Sequence, residues 1–281
     1  MIIDVHTHAP EYFMAIDDDM GDDGLNTSMR PNQAPIKMFA TTEEHVEGTE
    51  GADKVIAFNM AIGPVNPNDA TAAYVRRYPD RVIGFMGLDP TDPRVLDELD
   101  RCYYDLGLRG IKLGPIYQKF HPLDPRVYPI SARAQQLKLP IMCPQGATFP
   151  RTAPLKYASP IALEDVALHY PDLKMVIAHM GHPWIAETIV LIRKQPNIYA
   201  DISGLFYRPW QFYQALSLCH EYGRLDKLLF GSDFPVATVQ ETLDGLRNVN
   251  KIVEGTNLPR IPEEEIEAII HRDSLSLLGL A

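Results

Sequence analysis

His6 and His8 stand two residues apart in the opening MIIDVHTH. On an extended strand that spacing points both side chains the same way. Two neutral imidazoles are then near enough to share one divalent ion, and imidazole is a common zinc ligand. The pair alone reads equally well as hydrogen-bonded polar residues at a strand end. Its context favours a metal, because His179 in KMVIAHMG and Asp233 in KLLFGSDFP also close apolar runs. Three imidazoles and a carboxylate at one point make a zinc or manganese set. Strict alternation predicts Asp4, His6 and His8 on the inner face of the first run, with Ile3 and Val5 turned toward helices. The same rule separates His179 from Val176 and Ala178.

Elements that bring such distant residues together must recur along the chain. Eight β-rich runs do so: Ile2 to Val5, Lys54 to Asn59, Val82 to Gly87, Gly110 to Leu113, Pro140 to Cys143, Lys174 to Ala178, Ile198 to Ile202 and Lys227 to Phe230. Between them lie segments with helical spacing, among them Pro93 to Leu106, Arg126 to Leu137, Pro160 to Tyr170, Ala186 to Lys194 and Gln211 to Tyr222. Strands interleaved with helices indicate βαβ units and a parallel sheet. Eight units predict a closed (β/α)8 barrel, a fold of about 250 residues, and a doubly wound open sheet is the competitor. Polar residues at the carboxyl ends of the runs favour the barrel, whose mouth gathers every strand end. Residues 14–40, with DDDMGDDG and NTSMRPNQAP, read as a long first βα loop. The tail PEEEIEAIIHRDSLSLLGL reads as a helix docked on the barrel. No linker splits residues 1–281, so one domain is expected.

Charge and composition exclude several function classes. Asp and Glu number 37 against 26 Lys and Arg, a net charge of −11 that argues against nucleic-acid partners. No apolar stretch reaches the roughly 18 residues of a membrane span, and MIIDVHTH lacks the basic start of a signal peptide. Cys102, Cys143 and Cys219 are scattered, without the spacing of a disulfide framework or zinc knuckle. A cytoplasmic protein acting on a small molecule is expected.

The chain resembles the amidohydrolase superfamily, in the branch that includes aminocarboxymuconate-semialdehyde and γ-resorcylate decarboxylases. MIIDVHTH, PDRVIGF, LGLRGIKLGP, PDLKMVIAHMGHPW, LLFGSDFP and the closing LLGL carry the likeness over nearly the whole length. The resemblance implies a distorted (β/α)8 TIM barrel, a divalent metal held by His6, His8 and Asp233, a sixth-strand His179 used in binding or proton transfer, and association as a homodimer. One position departs from it. Where the family carries a metal-binding histidine after the fifth strand, LPIMCPQGATF aligns Pro144, which has no side-chain donor. By alternation Cys143 faces the other way, and it reads as a small buried residue rather than a ligand; Gln145 is a weaker substitute. Three outcomes stay open: His179 becomes the fourth ligand, the metal binds more loosely with extra water, or it is lost.

Lys112, in GIKLG, falls on the inner face. In other amidohydrolases a lysine here is carboxylated and bridges two metals, but an ion pair with Asp4, Asp201 or a substrate carboxylate is the simpler expectation. Arg109, Arg151 and Arg208 are candidate carboxylate anchors, with Tyr117, Gln118 and Phe149 on the pocket wall. Lys112, Arg151, Arg208 and Tyr117 form the substrate-binding set. His182 is read as helping to start a helix, and no chemistry is assigned to His45, His169 or His271. Two reactions use this machinery: hydrolysis of an ester, lactone or amide, and non-oxidative decarboxylation of a small carboxylated, aromatic or ring-derived molecule. The alternative is a non-catalytic barrel that binds a small molecule and lost its metal with the fifth-strand histidine.

Overall fold

The computed structural model describes residues 1–11, 39–62, 66–148 and 152–281. The first βα loop, Phe39 and Ala40 apart, lies outside the described residues. Eight short strands follow in chain order: β1 (Ile3–His8), β2 (Lys54–Phe58), β3 (Val82–Gly84, resuming after Phe85 as Met86–Gly87), β4 (Ile111–Lys112), β5 (Ile141–Cys143), β6 (Met175–Ile177), β7 (Ile198–Asp201) and β8 (Leu228–Leu229). Each pairs in parallel with the next. The ring closes between β8 and β1, where Val5 N donates to Phe230 O at 3.0 Å, Asp233 N to His6 O at 2.8 Å and His8 N to Phe234 O at 2.8 Å. An open sheet has no such seam, so the fold is the closed TIM barrel. Among the described residues no helix is long and apolar enough to cross a membrane.

The period of two sorts each strand into two layers. Val55, Ala57, Ile141, Met175 and Ile177 pack outward against helix residues such as Leu99, Ile130, Ile189 and Leu216. Ile56, Phe58, Met142 and Val176 fill the barrel interior. Such two-sided burial is what parallel strands covered by helices require.

The first strand departs from strict alternation. Ile3 and Val5 belong to the interior, whereas Asp4 pairs with Val55 and Thr7 with Ala57, both outward residues. The register shifts between Asp4 and Thr7, so Val5 and His6 together oppose Ile56, the two-against-one count of a β-bulge. The expectation that Asp4 shares a face with His6 and His8 is therefore corrected. The bulge turns His6 inward directly after inward Val5, and His8 follows two residues later.

Helix α1 (Thr42–Gly48) covers this bulge from outside, entered through a capping box between Thr41 and Glu44. Its Gly48 leaves room for the Phe234 ring, which a Cβ there would meet at 1.9 Å. Buried His45 points from α1 at Thr7, with Nε2 at 3.1 Å from Thr7 Oγ1. Burial, then the charges of Arg81 and His8, push its imidazole from 6.5 down to about 3. Below about pH 6.5 an unfolded chain takes up a proton that the folded one refuses, so this stability is full above that pH and is lost as pH falls toward 3. Urea unfolding at pH 5 is expected to show roughly 2 kcal/mol less stability from this residue than at pH 8. In His45→Gln that share of the loss should vanish; an undiminished loss would place the acid sensitivity elsewhere.

The tail forms two helices rather than one, Glu263–Ile270 and Ser274–Leu278. Asp273 breaks the run by capping the second helix, accepting from Ser276 N at 3.1 Å, while Arg272 Nε donates to Leu228 O at 2.9 Å. Leu275 and Leu278 then join Ile3 and Tyr199 in the interior cluster.

Candidate active site

A cavity of about 410 Å³ opens where the carboxyl ends of the strands meet, and His6, His8, Lys112, His179 and Asp233 all line it. Asp201, the last residue of β7, organises the cluster from beneath. Its Oδ2 lies 2.9 Å from His6 Nδ1. Its Oδ1 accepts from His179 N at 3.0 Å, Ser203 N at 3.1 Å and Ser203 Oγ at 2.5 Å. His179 Nδ1 lies 3.0 Å from Ser203 O and 2.8 Å from Ser203 Oγ. A carbonyl and an ionised carboxylate only accept, so both histidines carry a proton on Nδ1, and neutral His6 leaves its Nε2 as a lone pair.

His6 Nε2 then faces Asp233 Oδ1 at 3.3 Å, and His8 Nε2 lies 3.4 Å from the same oxygen. His6, His179 and Asp233 each offer an atom within 4.8 Å of the others; His8 reaches the group through Asp233. Burial first, then Lys112, pushes His6 down to about 4, leaving it neutral at pH 7. Burial opposes ionisation of Asp233, but His179, His8 and His6 together hold it down to about 2. Asp201 likewise stays below the usual carboxylate range despite its burial, held by His6, His179 and Ser203. The His6 Nε2 lone pair, directed at an ionised carboxylate, repels it unless a cation lies between them. This donor set fits a divalent ion, and the proton-locking bonds to Asp201 and Ser203 are the outer support that metal-binding histidines use.

Backbone shape, rather than alternation, delivers His179. Val176 and Ala178 are interior residues, contrary to the sequence expectation, and alternation alone would send His179 out to the helices. Left-handed φ angles at His179 (54°) and Met180 (49°) turn the chain back over the mouth. Asp233 is left-handed too, at 65°. Non-glycine residues hold this region at a cost that clusters at functional sites. Here it is offset by the bonds from His179 N to Asp201 and from Asp233 N to His6 O.

Of the substrate-binding set, Lys112, Tyr117 and Arg208 line the cavity; Arg151, like Phe149, lies outside the described residues. Lys112 is not paired with Asp4, whose carboxylate accepts from Ser232 N at 3.0 Å and Ser232 Oγ at 2.5 Å. Its Nζ sits 4.2 Å from the centre of the Phe58 ring. Burial lowers it to about 8 against the pull of Asp201 and Asp233, so it is still charged at pH 7. Arg208 Nη1 donates to Gly204 O at 3.3 Å, with its guanidinium over Tyr207. Thr148 Oγ1 donates to Tyr117 Oη at 2.5 Å.

Two candidates fall away. Arg109 donates to Tyr103 O at 3.2 Å and stacks on that ring, away from the cavity. Gln118 bonds backbone, accepting from Gly114 N at 2.7 Å and donating to Ala61 O and Leu88 O at 2.8 Å. Pro144 does line the cavity. Cys143 packs outward, its thiol pushed up to about 12 by burial, and Gln145 is buried with its amide 3.5 Å from Ser159 O. His182, read from sequence as a helix starter, lines the rim and holds Gln211 Oε1 at 2.6 Å. From sequence Asp201 reads only as a partner for Lys112, and Ser203 carries no role. The available signal was their position in YADIS, at the end of a strand.

Comparison with known proteins agrees with the barrel fold. Among solved structures, an uncharacterized TIM-barrel protein of Bordetella bronchiseptica superposes with a TM-score of 0.72 at 21% identity, over 99% of this chain and 98% of that one. A probable 2-pyrone-4,6-dicarboxylic acid hydrolase of Acinetobacter baumannii, with citric acid bound, gives 0.68 at 20%, over 99% of both chains. A dihydroxybenzoic acid decarboxylase of Polaromonas sp. JS666, with manganese and 2-nitroresorcinol bound, gives 0.67 at 18%, over 99% of this chain and 97% of that one. At such identities the likeness is one of fold. The family model described as amidohydrolase matches residues 3–280, and the chain therefore belongs to the amidohydrolase family of enzymes.

Proposed function

We propose that the chain is one barrel domain, residues 1–281, and a divalent-metal enzyme that hydrolyses or non-oxidatively decarboxylates a small carboxylated, aromatic or ring-derived molecule. The observation that carries this reading is the convergence of acceptor atoms from His6, His179 and Asp233, with His8 on the same Asp233 oxygen. A zinc or manganese ion held there supplies a Lewis acid that polarises a carbonyl or engages a carboxylate. The hydrolase and the manganese-bound decarboxylase of like fold support both reactions.

The chain's own groups divide the remaining work. Ionised Asp233 is the base for a water in hydrolysis. In decarboxylation the carbon that loses carbon dioxide must gain a proton, which Asp233 or His179 delivers once protonated. The Lys112 ammonium binds a substrate carboxylate at the inner wall. Arg208 anchors the anion nearer the mouth, Arg151 is a second candidate anchor by its place in the sequence after the fifth strand, and Tyr117 bounds the ring. His179 fills out the ligand set that Pro144 leaves short. A barrel kept only for binding would have no use for Asp201 and Ser203 locking two histidine tautomers, so the non-catalytic alternative is not favoured.

Metal analysis of protein purified without chelator tests the reading. About one equivalent of zinc or manganese is expected, with a higher melting temperature on adding metal. Less than about a tenth of an equivalent and no thermal shift would sink it. Pro144→His should tighten metal binding by about tenfold or more, since it adds an imidazole at the cavity wall. Unchanged affinity in a competition titration would mean that position 144 does not face the ion.

A further inference from the structure

His45 lies outside the barrel and touches none of the candidate ligands by hydrogen bond, yet every polar atom of its ring is committed. The order of protons follows from its partners. Ile56 O can only accept, so the Thr7 hydroxyl donates to it at 2.9 Å. With that proton used, Thr7 Oγ1 accepts from His45 Nε2–H at 3.1 Å. The imidazole is neutral, so its Nδ1 accepts from the Tyr74 hydroxyl at 2.9 Å. This relay runs from Tyr74 through α1 to the residue between His6 and His8, and ends on the carbonyl opposite the β1 bulge.

The same ring also reaches the other side of the seam. It packs edge-on to Phe234, with centroids 5.3 Å apart. Phe234 follows Asp233, bridges to Thr7, and accepts from His8 N at 2.8 Å. One imidazole thus touches both sides of the closure, at residues adjacent to His6, His8 and Asp233.

We propose that His45 is a positioning residue for the metal centre: its Nε2–H, acting through Thr7, holds the β1 bulge in the register that turns His6 and His8 into the cavity, while its ring seats Phe234 and hence Asp233. The inference rests on reading that cluster as a metal centre. Packing alone would be served by any side chain of similar shape, whereas the relay demands a donor at Nε2.

The full chain tests this with His45→Phe, which keeps an aromatic ring and loses the donor, and His45→Gln, which restores an N–H. Manganese affinity is read by EPR titration, folding by thermal melting, and ring placement by the NMR imidazole signals of His6 and His8 without metal. His45→Phe should melt cooperatively, bind manganese about tenfold or more weakly, and displace both sets of imidazole signals. His45→Gln should recover most of that affinity. Unchanged affinity and unmoved signals in folded His45→Phe overturn the proposal, as does a glutamine no better than phenylalanine. If the wild type binds no manganese, the metal reading fails separately, and the imidazole signals alone decide whether His45 positions the cluster. If His45→Phe does not fold, Thr7→Val cuts the same relay at constant shape and is judged on the same signals.

Discussion

Asp233→Asn is expected to lower kcat/KM by about three orders of magnitude, the scale of a lost general base, and to release the metal with it. One oxygen of Asp233 faces both His6 Nε2 and His8 Nε2, at 3.3 and 3.4 Å, and in the proposed metal centre its charge would balance the cation. Asparagine has nearly the same shape without the charge. It is also among the residues that best tolerate a left-handed backbone, so the φ of 65° at this position does not penalise the variant. A folded Asp233→Asn protein therefore reports on chemistry rather than strain. Metal content and turnover, measured on the carboxylated substrate that the wild type processes best, check the outcome. Turnover within about tenfold of wild type would remove Asp233 from the mechanism.

Asp201→Asn should act from beneath the cluster, weakening metal binding by about 10- to 100-fold as loss of an outer-shell carboxylate does. The aspartate accepts from His6 Nδ1, His179 N, Ser203 N and Ser203 Oγ. An amide offers one accepting oxygen and an NH2 group, which must meet a donor head-on or force a partner to change. The cheapest change is for His6 to move its proton from Nδ1 to Nε2, which sets an N–H where the lone pair faced Asp233. Nitrogen-15 NMR of the imidazole reads that tautomer directly. A variant that keeps the Nδ1–H form and wild-type metal affinity would show that Asp201 does not set the ligand's orientation. Any donor left unpaired in this buried place also costs about 1–3 kcal/mol, so a lower melting temperature should accompany the change.

The two aspartates illustrate what can be read along a chain. Asp233 stands out in KLLFGSDFP because a polar residue ending an apolar run is a local signal, and the same signal marks His6, His8 and His179. Asp201 ends such a run in YADIS, but its role is defined by a hydrogen bond to a histidine 195 residues away. Lys112 is legible as an inner-face residue because Ile111 and Leu113 flank it, and alternation holds there. It failed at Asp4, where a bulge inserts one residue, and at His179, where two left-handed residues follow the strand.

Along the chain, periodicity and the polar residues that interrupt it made eight strands and an α/β barrel legible, because both are properties of neighbours, while the family was legible only through motifs such as MIIDVHTH and LLFGSDFP that resemble it. Tertiary structure alone decided which atoms of those residues face one another. Closure of the ring brings β8 against β1, so that Asp233 meets His6 and His8, and buried carboxylate and carbonyl acceptors then dictate where each histidine keeps its proton. Proton placement of this kind depends on partners from distant strands, and no local pattern encodes it.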